Sequence, residues 1–130
     1  MTPQNSPYKS KGGTGRLLDA LRYSAQGARA AFQHEAAFRQ ELLATAVLTP
    51  AAFWVGETTG EIVALIGVLF FMLIVELLNS GVEALADAIS LDENALIGRA
   101  KDLGSAAVML SIIFATIVWL ALIASHLAAR

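Results

Sequence analysis

The stretch VELLNSGVEALAD, Val75 to Asp87, closes an apolar run that begins at Ile62. Read as a helix with Glu76 at zero, it sets Asn79 at about −60°, Glu83 at about −20° and Asp87 at about +20°. Three carboxylates and an amide therefore share one stripe, while Leu, Val and Ala cover the other faces. An acid inside a membrane span costs roughly 2.5–3.5 kcal/mol on insertion scales, so several of them point to a use. The stripe marks an enzyme or a transport path rather than a simple membrane anchor.

Composition supports a membrane setting. The chain has 130 residues, 56% of them hydrophobic and 15% charged, with a mean hydropathy of +0.61. That length allows one domain. Apolar residues concentrate in Leu42–Gly56, in Ile62–Val75 continuing toward Ala86, and in Leu103–Ala129. The third segment has no Asp, Glu, Lys or Arg and exceeds the ~20 residues a spanning helix needs. The second reaches that length only with its acidic stripe inside; the first does so if it starts near Ala36, and it carries Pro50. The expected fold is all-α and integral to the membrane. It has a tail over 1–14, then a membrane-embedded domain over 15–130. Within that domain a surface helix is expected at about 15–33 and transmembrane helices at about 36–56, 61–89 and 99–128. The polar opening has no apolar core, so no cleavable signal peptide is expected. Cysteine is absent, which removes disulfides and thiolate metal sites.

Charge is distributed asymmetrically although the net value is only −2. Lys9, Lys11, Arg16, Arg22, Arg29 and Arg39 precede or open the first span, and Arg99 and Lys101 lie between the second and third. The connection Gly56–Glu61 has two acids and no base. The positive-inside rule then puts the N-terminus and the Ser90–Arg99 connection in the cytoplasm, with Arg130 the dissenting charge. From Arg16 onward, Leu17, Leu18, Leu21, Ala25, Ala28 and Phe32 gather within about 100° of arc, opposite Asp19, Arg22, Gln26 and Arg29. A basic amphipathic helix before a span reads as lying on the cytoplasmic membrane surface, or else as packed on a partner. Helical rise sets Glu76 roughly 21 Å beyond Ile62 and Glu83 about 10 Å further. The stripe thus climbs from lipid to the cytoplasmic interface, where the basic segments converge.

Each candidate residue also has a plainer reading. Glu35, Arg39, Gln40 and Glu41 form a polar group before the first span, in which Glu35 and Arg39 suit an exposed ion pair. Glu76 could be a buried acid bonded to a neighbouring helix, Asn79 a helix–helix hydrogen bond, and Asp87 a solvated helix end. Lys101 could be a snorkelling anchor. Arg99 and Lys101, set against the dipole of an opening helix turn, suggest a nearby anionic ligand, whereas Asp102 there suits the dipole. His126 reads as interfacial, with no partner ligand for a metal, and Trp54 and Trp119 read as an outer aromatic belt. The Gly12–Arg16 run lacks both a preceding strand and the GxxxxGK[ST] pattern, so it is no phosphate loop. Three thin helices cannot enclose a polar donor and a lipid alone. Small residues beside the stripe (Ser80, Gly81, Ala84) favour close packing and a site shared in a homo-oligomer.

Several blocks together resemble the small prokaryotic diacylglycerol kinase family. They are Tyr23-Ser24, Gly27, Arg29-Ala30-Ala31, then Glu35-Ala36-Ala37-Phe38-Arg39-Gln40-Glu41. Val75-Glu76-Leu77-Leu78-Asn79-Ser80, Glu83-Ala84 and Asp87 follow, and then Gly98-Arg99-Ala100-Lys101-Asp102-Leu103-Gly104-Ser105-Ala106-Ala107-Val108. The resemblance implies a homotrimeric inner-membrane kinase with three transmembrane helices per subunit, a surface helix, and active sites shared between subunits. It implies transfer of the ATP γ-phosphate to diacylglycerol, with Mg2+ as cofactor; no nucleic-acid partner is expected. By motif position Glu76 resembles the catalytic base, and Glu35 and Glu83 the metal-holding carboxylates. Arg16, Tyr23, Asn79, Lys101 and Asp102 resemble further nucleotide contacts, with Lys101 toward phosphate. Arg16, Ser24, Arg29, Gln40 and Ser105 resemble lipid-substrate contacts, with Asp87 in support. Gly81, Ala88 and Asn94 depart from the pattern, standing where Ala, a basic residue and His are more usual. An undecaprenol kinase of the same fold is the nearest alternative, and the Ala36–Glu41 block favours diacylglycerol. A small oligomeric channel would use Glu76 and Asn79 as an ion path but gives Glu35, Lys101 and Asp102 no reason to converge.

Overall fold

Four helices make up the described part of the chain in a computed structural model that covers residues 13–89 and 94–129. They are α1 (Thr14–His34), α2 (Ala36–Val55), α3 (Thr59–Ile89) and α4 (Ala95–Ala128). Most of the expected tail, with Lys9 and Lys11, lies outside the described residues, as do residues 90–93 of the polar connection and Arg130.

Backbone chemistry sets each corner. Glu35 leaves the helical region (φ −103°, ψ 112°) and separates α1 from α2. Arg39 Nη1 then donates to the carbonyls of Phe32 (3.0 Å) and Gln33 (3.3 Å). A cation bonded to the orphan carbonyls of a helix C-terminus stabilises that end. No Glu35–Arg39 ion pair forms among the described residues: the Arg39 backbone N–H bonds the Glu35 carbonyl at 3.3 Å, but its guanidinium is turned to the end of α1 instead. Gly56 ends α2 in a turn so close that a Cβ there would lie 2.7 Å from Ile62 Cγ1 and 3.1 Å from the Ala52 carbonyl. A reciprocal capping box opens α3. Glu61 N–H donates to Thr58 Oγ1 (3.2 Å), while Glu61 Oε2 accepts from the N–H groups of Glu57 (2.8 Å) and Thr58 (3.2 Å).

Asn94 opens α4, its Oδ1 accepting from Leu96 (2.9 Å) and Ile97 (3.3 Å). The departure from the family pattern at Asn94 thus has a structural use, since Asn is among the best N-caps. The cap also starts the helix at Ala95, ahead of the expected Arg99. Arg99, Lys101 and Asp102 therefore lie beyond the first turn, where the dipole effect has faded. The dipole no longer argues for an anionic ligand at Arg99 and Lys101.

α3 and α4 form the long antiparallel pair of the fold, and α2 packs beside α3. Four cross-contacts mark the α3–α4 register, running in order along the pair. His126 Nε2 lies 3.5 Å from Glu61 Oε2; Trp119 Nε1 donates to the Leu65 carbonyl at 3.3 Å. Gly104 abuts Asn79, and Lys101 Nζ bonds Asp87 Oδ1 at 3.0 Å. Ala52, Leu65, Val68, Leu69, Ala115 and Trp119 make the main core, and Ala31, Phe38 and Leu73 a smaller one near the α1–α2 corner. Phe71 and Phe114 add an edge-on ring pair at 6.2 Å.

One sequence expectation changes here. Trp119 is a core residue, 8% exposed and hydrogen-bonded, rather than a belt residue, whereas Trp54 is 95% exposed. His126, read as interfacial, lies 3.5 Å from Glu61 Oε2 near the same end of the pair.

α3 and α4 are each long and apolar enough to cross a bilayer. Phe70, Ile74, Leu78, Leu110, Ile113 and Ile117 nevertheless point outward and are exposed. So large an apolar exterior is unfavourable in water and suits lipid or another protein surface. The apolar side of α1 is likewise uncovered at Leu17, Leu18 and Leu21.

Candidate active site

The stripe on α3 divides by burial. Glu76 is 3% exposed and Asn79 9%, Glu83 is half-buried, and Asp87 is exposed. Asn79 Nδ2 donates to Glu83 Oε1 at 3.1 Å, an i,i+4 bond along the helix. Asn79 Oδ1 and Ser80 Oγ are buried without a hydrogen-bond partner among the described residues. Asp87 holds Lys101 of α4, so the two residues with plain solvent readings form one exposed ion pair.

Glu35 reaches the same region from the α1–α2 corner. It is half-buried and lines a groove of about 620 Å³ between α1 and α3, with Ser24, Gly27, His34, Ser80 and Ala84. Glu76 lies within electrostatic range of both Glu35 and Glu83, and Lys101 within range of Glu83. Carboxylates from two elements and one amine thus approach the exit of the α3 apolar stretch. Like charges gathered in this way need a cation or a proton to offset their repulsion. No group of three or more His, Asp or Glu side chains converges as a metal cage among the described residues.

Arg16, Tyr23, Ser24 and Arg29 on α1 are exposed, as are Gln40 on α2 and Asp102 and Ser105 on α4. Of these, Ser24 lines the groove.

Glu41, which the sequence places in the polar group before the first span, also borders Glu76. It is 8% exposed, its Oε2 has no partner among the described residues, and it lies within electrostatic range of Glu76. Thr45 beside it is 6% exposed, with Oγ1 also unpartnered. The signal was available: Phe38, Glu41, Thr45 and Ala52 recur at helical spacing as the buried face of α2.

The fold and this site define an α-helical membrane protein that gathers carboxylates, an amide and a lysine where its long apolar helices meet polar surroundings. The family model for prokaryotic diacylglycerol kinase matches residues 22–123. Diacylglycerol kinase of Pseudomonas aeruginosa is 46% identical over 114 residues, covering 88% of this chain and 93% of the relative. Diacylglycerol kinase of Escherichia coli K12 is 45% identical over 111 residues (85% and 91%), and that of Haemophilus influenzae 42% over 112 residues (86% and 94%). The chain belongs to the prokaryotic diacylglycerol kinase family. It is an enzyme, a lipid kinase, and membership implies a nucleotide phosphoryl donor and a lipid acceptor in the membrane.

Proposed function

We propose that this protein transfers the γ-phosphoryl group of ATP to the free hydroxyl of diacylglycerol, giving phosphatidic acid, at the cytoplasmic face of the bacterial inner membrane. The observation that carries the reading is the burial of Glu76 on the apolar part of α3, next to the Asn79–Glu83 pair, in a chain of this family. Glu76 takes the hydroxyl proton as the lipid oxygen bonds to the γ-phosphorus and the bridging P–O bond to ADP breaks. A base must lie within hydrogen-bond reach of that proton, so in this reading the lipid hydroxyl enters among the helices that cover Glu76.

Glu35 and Glu83 fit Mg2+. Both are oxygen donors with partial solvent access, and Mg2+ commonly takes one or two carboxylates together with substrate phosphates. When bound, Mg2+ neutralises charge on the phosphates during transfer. Asn79 orients Glu83 through its amide. Lys101 contacts phosphate, with Asp87 holding it beside the site until nucleotide arrives. Arg16, Tyr23 and Asp102 supply further nucleotide contacts; Ser24, Arg29, Gln40 and Ser105 face the lipid headgroup, with Arg16 shared.

The membrane arrangement in this reading has three spans. α2 has 20 residues, about 30 Å of helix, which matches the hydrocarbon thickness. The basic residues of α1 and those opening α4 favour the cytoplasmic side for both. The uncovered apolar exterior leaves surface for the homotrimer with sites shared between subunits that this reading includes.

The test is purified protein in detergent micelles with labelled ATP and Mg2+, offered diacylglycerol or undecaprenol. Label in phosphatidic acid is expected. Transfer to undecaprenol alone changes the acceptor, and transfer to neither overturns the proposal.

A further inference from the structure

Gly104 lies on α4 at the point where that helix meets Asn79 of α3. A Cβ at Gly104 would overlap Asn79 Oδ1, stand 3.3 Å from Asn79 Cγ and 3.9 Å from its Cα. Asn79 is 9% exposed, and its Oδ1 has no hydrogen-bond partner among the described residues. Its one hydrogen bond among them runs from Nδ2 to Glu83 Oε1 at 3.1 Å. The amide is thus tied at one end and held by shape at the other, with the bare face of Gly104 providing the space for its oxygen.

Gly98, the other glycine of α4, has nothing within 4 Å of such a Cβ. Glycine is a poor helix residue in either position, but only at Gly104 does the missing side chain make room for a neighbour. The atom met there is the end of a short side chain rather than backbone. A methyl group at 104 would therefore be accommodated by rotating Asn79, at little cost to helix packing. That rotation carries Nδ2 away from Glu83.

We infer that Gly104 is a positioning residue for the phosphoryl donor: by leaving room for the Asn79 amide it keeps that amide on Glu83, and so orients the carboxylate toward the magnesium nucleotide. The inference rests on the assignment of Glu83 to that nucleotide.

Gly104→Ala, with Gly98→Ala as control, is examined in the intact enzyme in micelles. Three measurements apply: equilibrium binding of a non-hydrolysable ATP analogue with Mg2+, KM for each substrate, and the Tm of nucleotide-free protein. Losing a hydrogen bond to a charged group predicts a rise of about tenfold or more in the analogue Kd and the MgATP KM. The diacylglycerol KM stays within about twofold, because the lipid side is untouched. Gly98→Ala matches the unsubstituted enzyme in analogue Kd and in both KM values, with an equal or higher Tm. In nucleotide-free protein, the Tm cost of Gly104→Ala shrinks in an Asn79→Ala background, since the overlap is then gone.

Unchanged analogue affinity in Gly104→Ala, an equal effect from Gly98→Ala, or an equal rise in both KM values overturns the inference. So does a Tm cost that ignores the Asn79 background. If Gly104→Ala alone does not fold, recovery of the fold by added Asn79→Ala supports the overlap, and failure to recover overturns it. Unchanged nucleotide affinity in Glu83→Gln would instead remove the nucleotide assignment; the Tm coupling between Gly104 and Asn79 would still stand by itself.

Discussion

Glu76→Gln separates proton transfer from every other property of the site. The substitution keeps the length and nearly the volume of a side chain that is 3% exposed. It removes a carboxylate from a cluster in which Glu35, Glu41 and Glu83 all lie within electrostatic range. An amide is cheaper to bury than a charge, and repulsion among the remaining acids falls. The fold should therefore lose nothing, and Tm in micelles should hold or rise. Turnover should behave otherwise: a positioned general base contributes about 10²–10⁴ in rate, or about 2.7–5.5 kcal/mol of barrier. The assay is transfer of labelled phosphate from MgATP to diacylglycerol at saturating substrates, beside calorimetric binding of a non-hydrolysable nucleotide. The expected result is a loss of turnover by about two to four orders of magnitude, with nucleotide affinity retained. Turnover within about threefold of the unsubstituted enzyme would remove Glu76 as the base. A matching loss of nucleotide affinity would move its role from proton transfer to binding.

Glu83→Gln keeps an acceptor for Asn79 but removes the charge, so KM for MgATP should rise about tenfold or more and its Mg2+ dependence should weaken; initial rates across a Mg2+ series measure both. Trp119→Phe deletes the donor to the Leu65 carbonyl and part of a buried ring. It should cost about 1–3 kcal/mol in reversible unfolding from micelles, with KM values unchanged. Gly56→Ala puts a methyl 2.7 Å from Ile62 Cγ1 at the end of the molecule away from the acidic stripe. Thermal unfolding should show a loss of about 1–3 kcal/mol, while turnover at a temperature well below the transition stays near normal.

How far the sequence was legible follows from the range of each signal. Apolar period and length identify α1, α3 and α4, because a helix writes its own face into successive residues. The acidic stripe was legible for the same reason: Glu76, Asn79, Glu83 and Asp87 belong to one helix. Sequence is silent where a second element decides the environment. Trp119 has the composition of a belt residue, yet it is buried because α4 turns it toward Leu65. Asp87 and Lys101 each had a solvent reading, and they become a pair only when α4 runs back along α3. Glu35 and Arg39 fit an ion pair on an unbroken helix, and the corner at Glu35 redirects Arg39 to backbone carbonyls.

The same distinction explains which site residues stand out in a single chain. Glu76, Asn79 and Glu83 have their environment fixed by α3 and the helices packed on it, so their burial and hydrogen bonding are visible within one copy. Arg16, Tyr23, Arg29 and Gln40 are exposed, and their resemblance-derived roles require a surface brought to them by substrate, membrane or a second subunit. A carboxylate can be held ready in advance because a helix can shield it, whereas a long cation gains by staying solvated until its phosphate arrives. The Lys101–Asp87 pair fits that division: the two side chains are 41% and 57% exposed, so under the proposed function replacing Asp87 by an incoming phosphate would exchange one solvent-screened contact for another. Such an exchange costs little, so under the proposed function the buried acids would provide order while the exposed bases respond to ligand.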